Sequence, residues 1–191
     1  MLRLYMTVKK TSALGPNDRY AIWVQGCAKR CLGCISPDAQ PLDAGREVDI
    51  RNLAMDILST PDIEGVTISG GEPFLQSKAL AELLGMLKSE RDLGVIIYTG
   101  MLYEDVKDDI LMEYCDILID GVYQEAMNDG LSLRGSSNQR VIALTHRYDK
   151  RLDSYGKKGR KIEMHLNNDV ITMVGIPDRE TLEKLEATVF I

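Results

Sequence analysis

Residues 65–100 read GVTISGGEPFLQSKALAELLGMLKSERDLGVIIYTG. The ends, GVTISG (65–70) and GVIIYTG (94–100), are short apolar runs rich in β-branched residues, bounded by glycine, and each reads as a buried strand. Between them SKALAELLGMLKSE (77–90) carries apolar residues at helical spacing. Antiparallel strands can be joined by a tight turn, whereas parallel strands need a crossover, usually a helix. This stretch therefore predicts one strand–helix–strand unit of a parallel sheet.

The same rhythm extends in both directions. Upstream, YAIWVQG (20–26) reads as a strand, and IRNLAMDILST (50–60) as a helix with apolar positions on one face, ended by Pro61. Downstream, MLYEDVKDDILMEY (101–114) predicts an acidic-faced helix and DILIDG (116–121) a strand. Residues 122–140 form a Gly-, Ser- and Asn-rich loop with one helical turn, and VIALT (141–145) is a further strand. In the tail, two β-like runs within 161–177 flank Asn167-Asn168-Asp169 and predict a hairpin. A final helix over 178–190 has Asp178 as its N-cap. The pattern is α/β. A partial parallel barrel and an open parallel sheet both satisfy it.

A chain of 191 residues supports one well-buried core. The expected division is a core domain over 1–145 and a C-terminal extension over 146–191 that is not an independent domain. Hydrophobic and charged contents of 45% and 27% fall in the soluble globular range. No apolar run approaches the roughly 18 residues of a membrane span, and MLRLYMTVKK lacks the apolar core of a secretory signal. A cytoplasmic protein with no membrane partner is expected. The net charge of −6 argues against a nucleic-acid partner. Residues 134–161 run against that balance, with nine Lys or Arg against two Asp. Such a stretch reads as a solvated loop or as a docking surface for an acidic partner.

Three of the four cysteines fall within GCAKRCLGC (26–34), as Cys27, Cys31 and Cys34. Paired extracellular disulfides would be spread along the chain instead. Cys115, beside an apolar run, is expected to be a small buried side chain. A zinc site would want a fourth Cys or His, and His146 and His165 lie far along the chain. A cubane 4Fe-4S cluster suits the spacing better: each thiolate binds one iron, and three leave the fourth iron open to a substrate or cofactor. A structural zinc and a complete electron-transfer cluster remain the alternatives. The loop ISGGEPF (68–74) places two glycines after a strand, where backbone can approach a ligand, and fixes Glu72 before Pro73. It is either a plain turn or a seat for an ammonium group. Cys27, Gly70 to Pro73, Thr99-Gly100 and Asp120 all stand at the C-terminal ends of successive predicted strands, the edge where α/β folds build ligand sites.

Cys27-x-x-x-Cys31-x-x-Cys34, followed by Gly70-Gly71-Glu72-Pro73, resembles the signature pair of the radical S-adenosylmethionine enzymes. The finer similarity is to the small activating enzymes of anaerobic, class III ribonucleoside-triphosphate reductase. It is carried by GPNDRYAIWVQGC (15–27), by Gly33, and above all by DILIDGVYQEAMNDGLSLRGSSNQR (116–140). The resemblance covers about residues 14 to 142. It departs at Ile35-Ser36, where relatives often carry an aromatic residue and Asn, and at 143–191, which extends past the usual short activase.

The resemblance implies a partial parallel β/α barrel with a C-terminal hairpin and helix added. It implies a 4Fe-4S cluster on Cys27, Cys31 and Cys34 whose open iron is chelated by S-adenosylmethionine. Gly70, Gly71, Glu72 and Pro73 would hold the methionyl amine, and Gly33 and Ile35 would offer backbone to adenine. Thr99, Asp120 and Gly121 would line the ribose and methionyl side, with Ser136, Ser137 and Asn138 as donors to the cofactor carboxylate. For Asp120 a strand-end carboxylate capping a loop is the competing reading; Arg19, Arg134 and Arg140 fit surface charges. The implied activity is reductive cleavage of the cofactor to a 5'-deoxyadenosyl radical, fed by an external one-electron donor such as flavodoxin or ferredoxin. That radical would take a hydrogen from a glycine of a large partner, the anaerobic reductase. A peptide-modifying enzyme of the same superfamily and a non-catalytic iron-sulfur or zinc protein are the other readings.

Overall fold

The computed structural model describes residues 1–131, 133–155, 159–167, 170–177, 180, 181, 183 and 184. In chain order its elements are β1 (Leu2–Thr11), β2 (Arg19–Val24), β3 (Arg46–Val48), α1 (Ile50–Ser59), β4 (Gly65–Gly70), α2 (Ser77–Glu90) and β5 (Gly94–Tyr98). Then follow α3 (Tyr103–Val106), β6 (Ile117–Asp120), β7 (Arg140–Ala143), α4 (Asp149–Tyr155), β8 (Glu163–Asn167) and β9 (Val170–Val174). Short 3-10 turns occupy Pro37–Ala39, Pro73–Gln76, Ile110–Tyr114, Glu125–Met127 and His146–Tyr148.

The β4–α2–β5 unit forms as the opening stretch predicts. Neighbouring strands β2, β4, β5 and β6 are all parallel, and the sheet is completed by antiparallel β1 and β3 on one side and β7 on the other. The fold is thus mixed α/β with a mainly parallel central sheet. Its two faces follow the strand period of two. Tyr20, Ile22, Val24, Val66, Ile68, Val95, Ile97 and Leu118 pack beneath α1 and α2, whose own buried stripes are Ile50, Leu53, Ala54, Ile57 and Leu80, Leu83, Leu84, Leu87. Asp49 caps α1 by accepting a hydrogen bond from Asn52 N–H. The alternate residues Ala21, Trp23, Ile96, Ile117 and Ile119 face the other way. There they meet Val174 of β9 and Tyr148, so the segment after residue 145 covers the sheet's second face.

Several expectations are corrected. The predicted helix over 101–114 is two short pieces: at Asp109 the backbone is extended, and its carboxylate accepts from Leu111 N–H, which starts a new turn instead of continuing α3. Strands β1 and β3 lie outside the predicted set. β1 carries register irregularities against β2, between Leu4 and Met6 and again between Val8 and Thr11, which interrupt the alternation that periodicity reads. Arg19 is no surface charge. It is fully buried and donates to Glu64 (2.5 Å), Tyr148 Oη (2.8 Å), Thr67 Oγ1 (2.7 Å) and the Val66 and Gly94 carbonyls (2.8 and 2.7 Å). Within the basic stretch, Arg140 pairs with Asp120 and Glu104 and Arg147 with Glu64 and Asp92, acids from elsewhere in the fold, while Arg134 pairs locally with Asp129. Cys115 is buried, its thiol donating to the Ile117 carbonyl. No helix among the described residues is long and apolar enough to cross a membrane. The hairpin forms as β8–β9, whereas Asn168, Asp169, the cap Asp178 and all of the final helix except 180, 181, 183 and 184 lie outside the described residues.

Glu163 anchors the hairpin to the end of β1, accepting from Thr11 Oγ1 (2.6 Å), Ser12 Oγ (2.6 Å) and Ser12 N–H (3.0 Å). Burial alone pushes this carboxyl up, but the Ser12 and Thr11 donors outweigh it and hold Glu163 below its usual range. A depressed folded value means this stabilisation is complete above the unfolded pKa and lost as pH falls through the folded one. Acidification should therefore loosen the hairpin. Trp23, the single tryptophan, packs in the same cluster as Val174 and reports it by fluorescence; Glu163→Gln should remove the acid-dependent component.

Candidate active site

Three loops meet beyond the C-terminal ends of β2, β4 and β5. The cysteine loop is closed at its base: Gly26 and Cys27 N–H donate to the Ala39 and Gln40 carbonyls (both 2.8 Å), and Gln25 Nε2 donates to the Asp38 and Pro41 carbonyls (3.0 and 2.8 Å). Its three thiols are free and half-buried. Burial pushes the Cys31 thiol up, Cys34 and Cys27 add to the effect, and the Tyr123 N–H donating to its sulfur opposes it.

The Gly70–Pro73 loop lies against the root of the cysteine loop. Gly71 N–H donates to the Val24 carbonyl (2.8 Å) and Glu72 N–H to the Gly26 carbonyl (2.7 Å). A Cβ at Gly70 would stand 2.7 Å from Val24 N and O at a φ of +98°, and one at Gly71 would overlap the Gly26 carbonyl. Both glycines are required by this backbone-on-backbone contact. Gly71→Ala should accordingly destabilise the protein by about 1–3 kcal/mol, measured by urea unfolding, and should displace the cysteine loop with it.

Glu72 is 3% exposed. Its carboxylate accepts from Thr99 Oγ1 (2.7 Å), Gly100 N–H (3.0 Å) and Phe74 N–H (3.2 Å), tying the loop after β4 to the loop after β5. Burial pushes its pKa up, against the pull of those donors. A carboxylate offers about four acceptor sites, so three donors leave room for one more.

These loops border a cavity of about 420 Å³, within the ordinary range for small-molecule sites. Cys27, Cys31, Cys34, Ile35, Gly70, Gly71, Glu72, Thr99 and Gly121 all line it. Gly33, Pro73, Asp120, Ser136, Ser137 and Asn138 do not. Gly33 has a positive φ (+70°), with Glu125 where a Cβ would be. Pro73 is buried at the start of a 3-10 turn. Asp120 is fully buried, accepting from Tyr103 N–H (2.7 Å) and from Arg140 Nε (3.0 Å), so it holds the loop after β6. Ser136 Oγ accepts from Gln124 N–H, Ser137 N–H donates to the Met127 carbonyl, and Asn138 Nδ2 donates to the Val122 carbonyl, which folds residues 122–138 onto themselves.

Other lining residues were not among those singled out from the sequence. Gln139 accepts from Gly135 and Ser136 N–H and donates to the Gly121 carbonyl, making it the organiser of the Arg134–Arg140 run. Trp23 and Tyr98 come from the sheet face opposite the helices, which strand alternation would have marked once that face was known to hold the cavity. Val170, Ile171, Thr172 and Met173 come from the hairpin, where nothing in the local sequence announces chemistry.

The donor set can be tested against a metal centre. Among the described residues no three His, Cys, Asp or Glu side chains converge on one ion. A cubane asks for a different arrangement, since each thiolate binds a different iron and the sulfurs stand around a cluster. Three thiols on the wall of one cavity, beside a loop with a spare acceptor site, fit that requirement. Neither histidine lines this cavity: His146 pairs with Asp149, and His165 lies near Glu163 on the hairpin.

Comparison with known proteins agrees with this donor set. A family described as a 4Fe-4S single cluster domain matches residues 13–142. The anaerobic ribonucleoside-triphosphate reductase-activating protein of Enterobacteria phage T4 is 30% identical over 139 residues, covering 69% of this chain and 87% of that protein. Its namesake from Vibrio cholerae is 31% identical over 142 residues, covering 69% of this chain and 91% of the other. The pyruvate formate-lyase-activating enzyme of Listeria monocytogenes is 29% identical over 142 residues, 69% of this chain and 57% of that protein. The chain belongs to the 4Fe-4S single cluster domain family and is a radical S-adenosylmethionine enzyme of the activating type, with a 4Fe-4S cluster and S-adenosylmethionine as its cofactors.

Proposed function

We propose that this protein activates an anaerobic ribonucleoside-triphosphate reductase by removing a hydrogen atom from a backbone glycine of that partner. The observation that carries the reading is the sharing of one cavity by Cys27, Cys31, Cys34 and the Gly70–Glu72 loop. The two reductase-activating relatives, each matched over most of its length, support the choice of target.

Cys27, Cys31 and Cys34 would hold the cluster through their thiolates. Glu72 and its loop accept the methionyl ammonium, using the acceptor site that Thr99, Gly100 and Phe74 leave open. Thr99 and Gly121 would border the rest of the cofactor, and Ile35 would offer backbone to the adenine. Asp120, Gln139 and Ser136 act by holding the loops that carry these groups. Bound together, the cluster and cofactor would turn one electron from an external donor into hydrogen-abstracting radical chemistry. The apolar wall of Leu14, Trp23 and Tyr98 excludes water and other hydrogen donors, so that selectivity comes from what is held close. The sheet is read as a partial barrel whose inner face is the Trp23 side, with residues 146–191 an extension of that core. Flavodoxin or ferredoxin in the cytoplasm would supply the electron.

The test is to mix the reconstituted, reduced protein with S-adenosylmethionine and the candidate reductase, and to record the electron paramagnetic resonance spectrum. A glycyl doublet on the reductase is expected; its absence while the cofactor is cleaved would reject this target. One observation favours a second reading, a peptide-modifying enzyme: the hairpin lining the cavity lies beyond the matched residues 13–142. Under that reading a short precursor peptide is modified and the reductase is not.

A further inference from the structure

Four consecutive residues, Val170, Ile171, Thr172 and Met173, border the cavity. Successive side chains of a strand point to opposite faces, so a cavity bordered by all four meets β9 along its edge. No residue of β8 borders it. Among the described residues β9 is paired on one side only, with β8, and makes no other backbone hydrogen bond. The edge turned to the cavity therefore presents unpaired N–H and C=O groups.

That edge is held in place. Val174 is fully buried beside Val8, Leu14, Ala21 and Trp23, and Glu163 is fixed by Thr11 and Ser12. Arg160 donates to the Gly135 carbonyl (2.8 Å) and the Ile176 carbonyl (3.2 Å), clamping the end of the hairpin to the loop around Gly135, which also borders the cavity. At the outer end Val170 and Ile171 are 63% and 54% exposed, one on each face of the strand.

We propose that the free edge of β9 is a docking strand, which binds an extended peptide segment of the protein substrate by backbone pairing and lays it across the mouth of the cofactor cavity. This rests on the reading that the substrate is a glycine within a polypeptide. A strand added to β9 lies about 4.8 Å away, over the cavity that the edge adjoins. Glycine, without a Cβ, brings its Cα closest to whatever lies beneath. Val170 and Ile171 favour apolar side chains on the flanking residues, and main-chain pairing supplies the affinity, as in other edge-strand complexes. The hairpin lies outside the matched residues 13–142, so the device belongs to this chain's addition and bears on which partner it accepts.

The test is amide hydrogen exchange of the full-length, reconstituted protein with a short synthetic peptide spanning the reductase glycine. Two N-methylated forms of the peptide, blocked at odd or at even positions, remove its donors on one edge or the other without altering the protein. The parent peptide should slow exchange at alternate amides of 170–174 by about tenfold or more, and one N-methylated form should bind about tenfold more weakly while the other binds as the parent does. Binding without protection of β9, no binding at all, or equal binding of all three peptides overturns the proposal. The glycyl doublet is recorded in parallel with the intact reductase. A doublet with β9 unprotected keeps the function and removes the docking edge; protection without a doublet keeps the edge and rejects the reductase as target.

Discussion

Replacing Cys31 with alanine is expected to abolish both the visible absorption of a reconstituted cubane and the cleavage of S-adenosylmethionine, while the protein remains folded. Cys31 sits between Cys27 and Cys34 on a half-exposed loop whose base is tied by backbone and Gln25 bonds, none of which involves its side chain. Loss of the thiol removes one of three ligands from a cluster that has no fourth thiolate in reserve. Cys115→Ala is the matched control. That thiol is buried behind β6, away from the cavity, and its burial pushes its pKa well up, as for an inert core cysteine. The control should cost a little stability and leave iron content unchanged. Full cluster and full activity in Cys31→Ala would remove the cysteine loop from the chemistry.

Arg19→Met is expected to destabilise the fold by about 3–5 kcal/mol, because it leaves Glu64 and two strand-end carbonyls without their buried cation. In a chain of this size that corresponds to a fall in melting temperature on the order of 10 °C. The effect is large because Arg19 joins β2, β4 and β5 at the end of the sheet opposite the site, and through Tyr148 also fixes the segment that follows residue 145. Cluster binding at low temperature should survive, since no Arg19 contact reaches the cysteine loop. Urea unfolding gives the magnitude; a change below about 1 kcal/mol would mean that the network rearranges around water instead of holding the strands.

Legibility followed the physics of each segment. The β4–α2–β5 unit is plain in the sequence because its strands are buried on both faces and its helix has a clean apolar stripe. β1 is not, because its register against β2 is irregular, so that Leu2 and Leu4 pack under the helices while Val8 packs on the other face and the alternation is broken. The cysteines and the Gly-Gly-Glu-Pro loop stand out by residue type and spacing. Arg19 does not: from sequence an arginine is a surface residue by default, and only the folded chain reveals the acceptors gathered around it. The hairpin is legible as a hairpin but silent about the cavity, because its contribution is a backbone edge, which no side-chain pattern encodes. Asp120 and Ser136 show the reverse case: side chains of a type that suits ligand binding, here hydrogen-bonded within the loops they shape.

The most direct measurement is product analysis after mixing the anaerobically reconstituted protein with dithionite and S-adenosylmethionine. Methionine and 5'-deoxyadenosine should appear in equal amounts and only when the reductant is present. A protein that carries a complete 4Fe-4S cluster and a bound reducing electron, yet forms neither product, would contradict the assignment of an open iron to the cofactor.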